Sequence, residues 1–348
     1  MGRDRFPLKL LFVGFGNVGR ELARILVHRA EYPGLADLDV SVVGITTGRR
    51  KSLANENGID LARALQELGE HGRFTPGNPD YSELDSLEAA KTLDYDVLVE
   101  MSPLSIENRG EPAISHARTA LGRGRHVISC NKGPLAFAFR EIRKLADENG
   151  VAFLHETTVM DGSPVFDMAR SCMRGNTILR IDGILNSTSN YVLCAMERGR
   201  SFAEGVAGAQ AEQIAEADPS NDLDGWDASV KIVALANVLM GADLKPESVD
   251  RESMAGITPE RVKAARERGN RIKMVCSAWR EDNTVKTSVK ATEVPMEHPF
   301  ALVDATGSIV RFETDLLGKI LMTEENPDIT TTAYGVITDI YALDGGSR

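Results

Sequence analysis

Cysteine is scarce: four residues in 348, at 130, 172, 194 and 276, with no CxxC pair among them. This excludes a disulfide framework and a zinc ribbon, and we read the four as reduced core thiols of a cytoplasmic protein. No long apolar run is present either. The N-terminal MGRDRFPLKLLFVGFG is cut by glycines after about seven apolar residues and has no small-residue cleavage site, so neither a signal peptide nor a membrane span is expected. Dense Lys/Arg blocks are missing, and 40 basic against 51 acidic residues leave a net charge of −11. Neither nucleic acid nor an anionic membrane is therefore expected as a partner, and any bound anion needs a local site. The six histidines (28, 71, 116, 126, 155, 298) show no metal or catalytic spacing. We find no internal repeat and no low-complexity tract.

What is there is an ordinary globular composition, 42% hydrophobic and 26% charged, long enough for two domains. From Leu8 to Leu154, short apolar or β-branched runs (8–13, 40–46, 96–101, 126–130, 151–154) alternate with helical spacing at 17–29, 107–121 and 135–149. Near-continuous apolar strands separated by helices predict an α/β fold, a doubly wound Rossmann-type parallel sheet covered on both faces, over residues 1–155. After His155 the pattern changes. Helices are expected at 163–173, 191–197, 207–217 and 225–240, with strands at 177–185, 271–278 and 283–292. The last two alternate, as antiparallel strands exposed on one side do. A second α+β domain is thus expected over 156–314, with the segment from about 315 to 348, including an amphipathic helix at 330–343, returning to the first domain.

The residues Gly14-Phe15-Gly16-Asn17-Val18-Gly19 form a GxGxxG directly after a strand and at the opening of a helix. Gly14 allows the tight turn, Gly16 admits a pyrophosphate to the backbone, and Gly19 lets helix and strand pack closely. The acid that would hold the adenosine ribose of NAD is absent between Val40 and Asn55. In its place stand Thr46-Thr47-Gly48-Arg49-Arg50-Lys51, cations that suit a 2′-phosphate, so NADP is the expected cofactor with NAD as the alternative. A solvated basic loop would have the same composition.

A second dense signal is EADPSNDLDGWDASVK at 216–231, five carboxylates and one lysine across a turn and a helix start. Asp227 and Lys231 share one helix face. Such spacing usually marks a surface ion pair, but the run from Ile232 to Met240 is apolar almost all round apart from Asn237, so this helix is expected to be buried. A lysine entering it sits at a cleft, where desolvation brings its pKa toward the range useful for proton transfer. Lys132, in Ser129-Cys130-Asn131-Lys132-Gly133-Pro134, follows a strand end. That is the rim where open sheets bind ligands. Ser102-Pro103 lies on the same rim and is placed to meet the nicotinamide.

Together these pieces resemble homoserine dehydrogenase, in GFGNVG at 14–19, VISCNKGPLA at 127–136, HETTVMDGSP at 155–164, GILNSTSNY at 183–191 and EADPSNDLDGWDASVK. The resemblance implies NAD(P)-dependent interconversion of L-homoserine and L-aspartate 4-semialdehyde, in threonine and methionine biosynthesis, on a small-molecule substrate and as a homodimer. By it, Lys231 is the proton donor and acceptor, Lys132 the second active-site lysine, and Glu216 the carboxylate that holds the substrate, with Asp222 and Asp227 as supporting acids. It also implies a monovalent cation such as sodium, on main-chain carbonyls of Glu156, Val159, Asp161 and Ser163. An ordinary strand-to-helix turn with Asp161 as a cap accounts for the same residues. The sequence departs from the family at Met322 to Asp328, where a glycine-rich GxGA segment is usual, and at GSIVRF, 307–312. No room is left for an appended regulatory domain, so feedback by threonine through one is not expected. Another two-domain oxidoreductase, or a nucleotide-binding sensor without turnover, remains as an alternative reading.

Overall fold

The computed structural model describes residues 7–344. Residues 1–6 of the N-terminal stretch and 345–348 of the returning segment lie outside the described residues. The chain divides into two compact units, one of 1–134, 140–164 and 328–348, the other of 135–139 and 165–327.

The first unit is built on seven strands: β1 (Leu8–Val13), β2 (Val40–Thr46), β3 (Ser52–Ala54), β4 (Tyr81–Ser82), β5 (Val97–Glu100), β6 (His126–Ser129) and β7 (Phe153–Leu154). Their order is β4-β3-β2-β1-β5-β6-β7. The strands from β2 to β7 in that order are parallel, as expected, while β3 and β4 add antiparallel edges. Two or three residues are too few to show a period, so β3 and β4 are not legible in sequence. The strand order reverses between β1 and β5, and a crevice opens there beyond the carboxyl ends. Leu10, Phe12, Val42, Val97 and Val99 pack in one core with Leu22 and Leu26 of the helix Asn17–Val27, Ala64 and Leu68 of Leu61–His71, and Val336, Ile337 and Ile340 of Ile329–Asp344. The helix Ala113–Gly122 packs against β5 and β6. It starts six residues later than its apolar spacing suggests, because Pro112 bars helical backbone at Glu111.

The second unit holds a six-stranded sheet of β8 (Ile178–Ile184), β9 (Asp250–Arg251), β10 (Asn270–Glu281), β11 (Thr284–Pro295), β12 (Ser308–Thr314) and β13 (Lys319–Glu324), in the order β13-β12-β8-β10-β11-β9. The β10–β11 hairpin runs in unbroken register from Asn270 opposite Pro295 to Glu281 opposite Thr284. The expectation of one exposed face fails for β10. Phe300, Ala301, Val303 and Ile309 cluster with Ile184 and Val294 over Val275, so that Lys273 on that face is also buried. The helix expected at 207–217 is Phe202–Ala211 instead, started by the reciprocal capping of Ser201 and Glu204.

The division between units falls later than residues 155 and 315. Segment 156–164 is held to the last helix: Glu156 N donates to Asp339 Oδ2 at 2.9 Å, and Thr157 Oγ1 to the Thr332 carbonyl at 2.9 Å. Residues 315–327 stay with the second sheet because β13 pairs with β12 along its length.

Candidate active site

In the first unit a cleft of about 840 Å³ opens at the switch point. Gly14 turns with φ +96°, and a Cβ there would come within 2.6 Å of the Met101 carbonyl. A side chain at Gly19 would meet the Gly14 carbonyl at 2.9 Å. These two approaches bring the strand, the turn and the helix Asn17–Val27 together. Gly16 caps that helix without a side-chain hydrogen bond, and nothing lies within 4 Å of the Cβ it lacks. Free amides and open space at the positive end of a helix fit a pyrophosphate.

Gly14, Phe15, Gly16, Asn17, Val18, Arg49, Arg50, Ser102 and Lys132 all line this one cleft, while Gly19 lies behind it as packing. Arg49 and Arg50 are exposed, in a loop closed by Thr47, whose hydroxyl donates to the Lys51 carbonyl at 2.7 Å and accepts from Arg50 N at 2.8 Å. Lys51 is drawn aside by Glu83 at 2.6 Å and does not line the cleft.

Residues in and behind the cleft that were not singled out in the sequence include Glu100, His116 and Asn131. Glu100, at the end of β5 and fully buried, accepts from Ser102 N at 2.8 Å and from the Ser102 hydroxyl, and lies 2.6 Å from His116 Nδ1. Asn131 donates from Nδ2 to the carbonyls of Ser102 (2.9 Å) and Pro103 (3.2 Å) and accepts from Gly133 N at 2.8 Å. The loops after β5 and β6 are thereby tied together on either side of Lys132. A carboxylate closing a four-residue apolar strand was the available signal. Its histidine partner comes from another element and left none.

In the second unit, the helix Trp226–Met240 is buried over Ala228–Val230 and Ile232–Asn237, as its composition predicts. Lys231 Nζ donates to the Leu185 carbonyl at 2.7 Å and lies 3.1 Å from Asp227 Oδ2. Asn186, the cap of the helix Ser187–Glu197, donates from Nδ2 to Asp222 Oδ1 (2.8 Å) and Asp227 Oδ2 (3.0 Å). Burial, reinforced by the Asp227 charge, raises the Asp222 carboxyl above its ordinary value, against the pull of Asn186 and Thr188. One lysine, two carboxylates and one amide thus form a single network, with the lysine and Asp227 each about one-fifth exposed. Asn186 lies inside the quoted GILNSTSNY motif but carries no charge to mark it. Glu216 stands apart from the network: its side chain is exposed, and its carbonyl accepts from Gln210 Nε2 at 3.2 Å. Asp218 and Asp224 serve the turns, on Ser220 N and the Ser253 hydroxyl.

Between Glu156 and Ser163 the backbone is irregular, with Met160 (φ 60°) and Asp161 (φ 47°) both left-handed. Asp161 Oδ1 accepts from the Thr332 hydroxyl at 2.7 Å. Its Oδ1 is engaged by the last helix, and the segment can offer a cation main-chain oxygens and the buried Glu156 carboxylate. The divergent 322–328 segment does not line the dinucleotide cleft. Glu324, Glu325 and Asn326 line a separate cavity of about 420 Å³ with Leu302 and Leu321.

A switch-point cleft with a glycine turn in one unit, and a lysine–carboxylate network in the other, define the class: a two-unit oxidoreductase dependent on a dinucleotide. Comparison with known proteins narrows this. The homoserine dehydrogenase NAD-binding domain model matches residues 14–156 and the homoserine dehydrogenase model residues 164–341. An NAD(+)-dependent homoserine dehydrogenase of Pseudomonas canavaninivorans is 36% identical over 338 residues, 95% of each chain. Among solved structures, a putative homoserine dehydrogenase of Archaeoglobus fulgidus superposes with TM-score 0.85 at 32% identity, over 97% of this chain and 99% of that one. A hyperthermophilic archaeal homoserine dehydrogenase in complex with NADPH superposes with TM-score 0.83 at 27% identity, over 99% of each chain. The chain belongs to the homoserine dehydrogenase family, and it is an oxidoreductase that uses NAD(P).

Proposed function

We propose that the chain interconverts L-homoserine and L-aspartate 4-semialdehyde with NAD(P), in threonine and methionine biosynthesis. The observation that supports this best is the Lys231–Asp227–Asn186–Asp222 network. NAD(P), when bound, supplies or accepts the hydride. Lys231 handles the proton at the substrate oxygen, and its ammonium stabilises the alkoxide as charge develops there. Asp227 and the Leu185 carbonyl hold the amine in one orientation, so that little reorganisation is needed when the proton moves. Asp222, Asp227 and Glu216 offer carboxylates to the substrate ammonium. Lys132 is the second active-site lysine, and Ser102 meets the nicotinamide.

Arg49 and Arg50, exposed on the cleft wall, support a preference for NADP through the 2′-phosphate. Main-chain carbonyls of Glu156, Val159, Asp161 and Ser163 hold a monovalent cation such as sodium, for which irregular backbone suits a hard ion. The enzyme is read as a cytoplasmic homodimer. Four cysteines without a disulfide among them support the compartment, and the exposed Leu302, Leu316, Leu317 and Leu321 beside edge strand β13 support self-association. No helix among the described residues is long and apolar enough to cross a membrane.

The test is homoserine-dependent reduction of NADP and NAD, followed by absorbance of the reduced cofactor. Turnover with homoserine is expected, faster per unit concentration with NADP. No rate above background with either cofactor overturns the proposal.

A further inference from the structure

The adenosine side of the cleft holds an acid as well as two cations. Asp85 lines the cleft together with Thr47, Gly48, Arg49 and Arg50. It belongs to another element, as the N-cap of the helix Ser86–Thr92. Three side-chain links lay the segment before that helix along the end of β2 and the basic loop. Thr46 Oγ1 lies 2.9 Å from Ser86 Oγ, Lys51 Nζ donates to Glu83 Oε2 at 2.6 Å, and Ser52 Oγ donates to the Leu84 carbonyl at 2.8 Å. Asp85 is held between these anchors, on the side of the cleft where the second strand of such a sheet ends. That is where a dinucleotide lying on the glycine turn places its adenosine ribose.

Capping does not require a charge at this position. Asp85 Oδ1 accepts from Glu88 N at 2.8 Å, which an asparagine amide oxygen does equally well. The side chain is exposed, and among the described residues no hydrogen bond is made to Oδ2. A carboxylate oxygen so placed accepts from ribose hydroxyls and repels a 2′-phosphate.

We propose that Asp85 is a cofactor-selecting residue, which opposes the 2′-phosphate that Arg49 and Arg50 attract, so that the balance between them leaves the enzyme able to use NAD as well as NADP. This rests on the reading of Arg49 and Arg50 as the 2′-phosphate contacts. The residue that the glycine-motif rule expects about 20 positions after the last glycine is supplied here from 85, across the cleft.

The test uses D85N, which keeps a capping oxygen and removes the charge, in the full chain, with unchanged thermal melting as the check on the cap. Binding of 2′,5′-ADP and of 5′-AMP is measured by titration calorimetry, since the two differ only in the phosphate at issue, and binding of NADP and NAD is measured alongside. D85N should tighten 2′,5′-ADP and NADP by about five- to tenfold, leave 5′-AMP and NAD unchanged or weaker, and lose most of its effect at high salt. An unchanged ratio of 2′,5′-ADP to 5′-AMP affinity overturns the role of Asp85. R49A and R50A separate the two readings: if they leave 2′,5′-ADP binding intact while D85N tightens it, the basic-loop reading fails and Asp85 stands. If they weaken it while D85N does nothing, Asp85 alone falls.

Discussion

Glu100, fully buried, and His116, 4% exposed and lining the dinucleotide cleft, meet at 2.6 Å. The same carboxylate takes the amide and hydroxyl of Ser102, so the histidine secures the loop at the proposed nicotinamide end without being part of it. A buried carboxylate is tolerated only while its lone pairs are filled.

Replacing His116 with Ala therefore leaves Glu100 Oε2 without its histidine partner. Unfolding in urea should show a loss of about 2–4 kcal/mol, and dinucleotide binding should weaken because Ser102 is no longer held. Stability within about 0.5 kcal/mol of the parent would mean that the pair carries no such load.

Lys231→Ala removes the proposed proton carrier from a helix whose buried face it does not supply. We expect kcat to fall by about 10²–10⁴, while far-UV circular dichroism and NADP affinity stay near those of the parent. A rate close to normal assigns the proton to another group.

Asp222 links function to pH. Its folded carboxyl is raised above the unfolded value by burial and by Asp227, so the stability it contributes is fully present below the unfolded value and is lost as pH rises through the folded one. At neutral pH its charge costs stability. D222N should melt higher than the parent at pH 7, with the gain vanishing near about pH 4, and should bind homoserine less well. A variant that melts lower at pH 7 contradicts this.

Thiol reactivity should follow exposure. Cys172, the last residue of the helix Val165–Cys172, is exposed, against the expectation of four core thiols, whereas burial pushes the Cys276 thiol up to about 12. Iodoacetamide at pH 8 should modify Cys172 first and leave Cys276 intact in the native enzyme, as read by peptide mass spectrometry. Early alkylation of Cys276 would show that β10 opens readily.

Much of the candidate site was legible because its signals are local. GFGNVG sits between a strand and a helix in one stretch of text, and Asp227 and Lys231 are one helical turn apart. Asn186, His116, Asn131 and Asp85 were not. Each acts through a partner 16 to 41 positions away, or through a cleft wall that several loops share. The second face of β10 failed to read as buried for a related reason: its cover, Phe300 to Ile309, follows the hairpin rather than accompanying it.

From the sequence alone came the alternation that makes the parallel sheet, the glycine turn, the buried helix bearing Lys231 and the family likeness, since hydrophobic period and backbone freedom are properties of neighbouring residues. The tertiary structure decided that segment 156–164 belongs with the last helix, that Glu216 stands outside the Lys231 network, and that an acid from residue 85 shares a wall with Arg49 and Arg50. Pairings of that kind depend on how separate elements close on one another, and no spacing along a single chain encodes them.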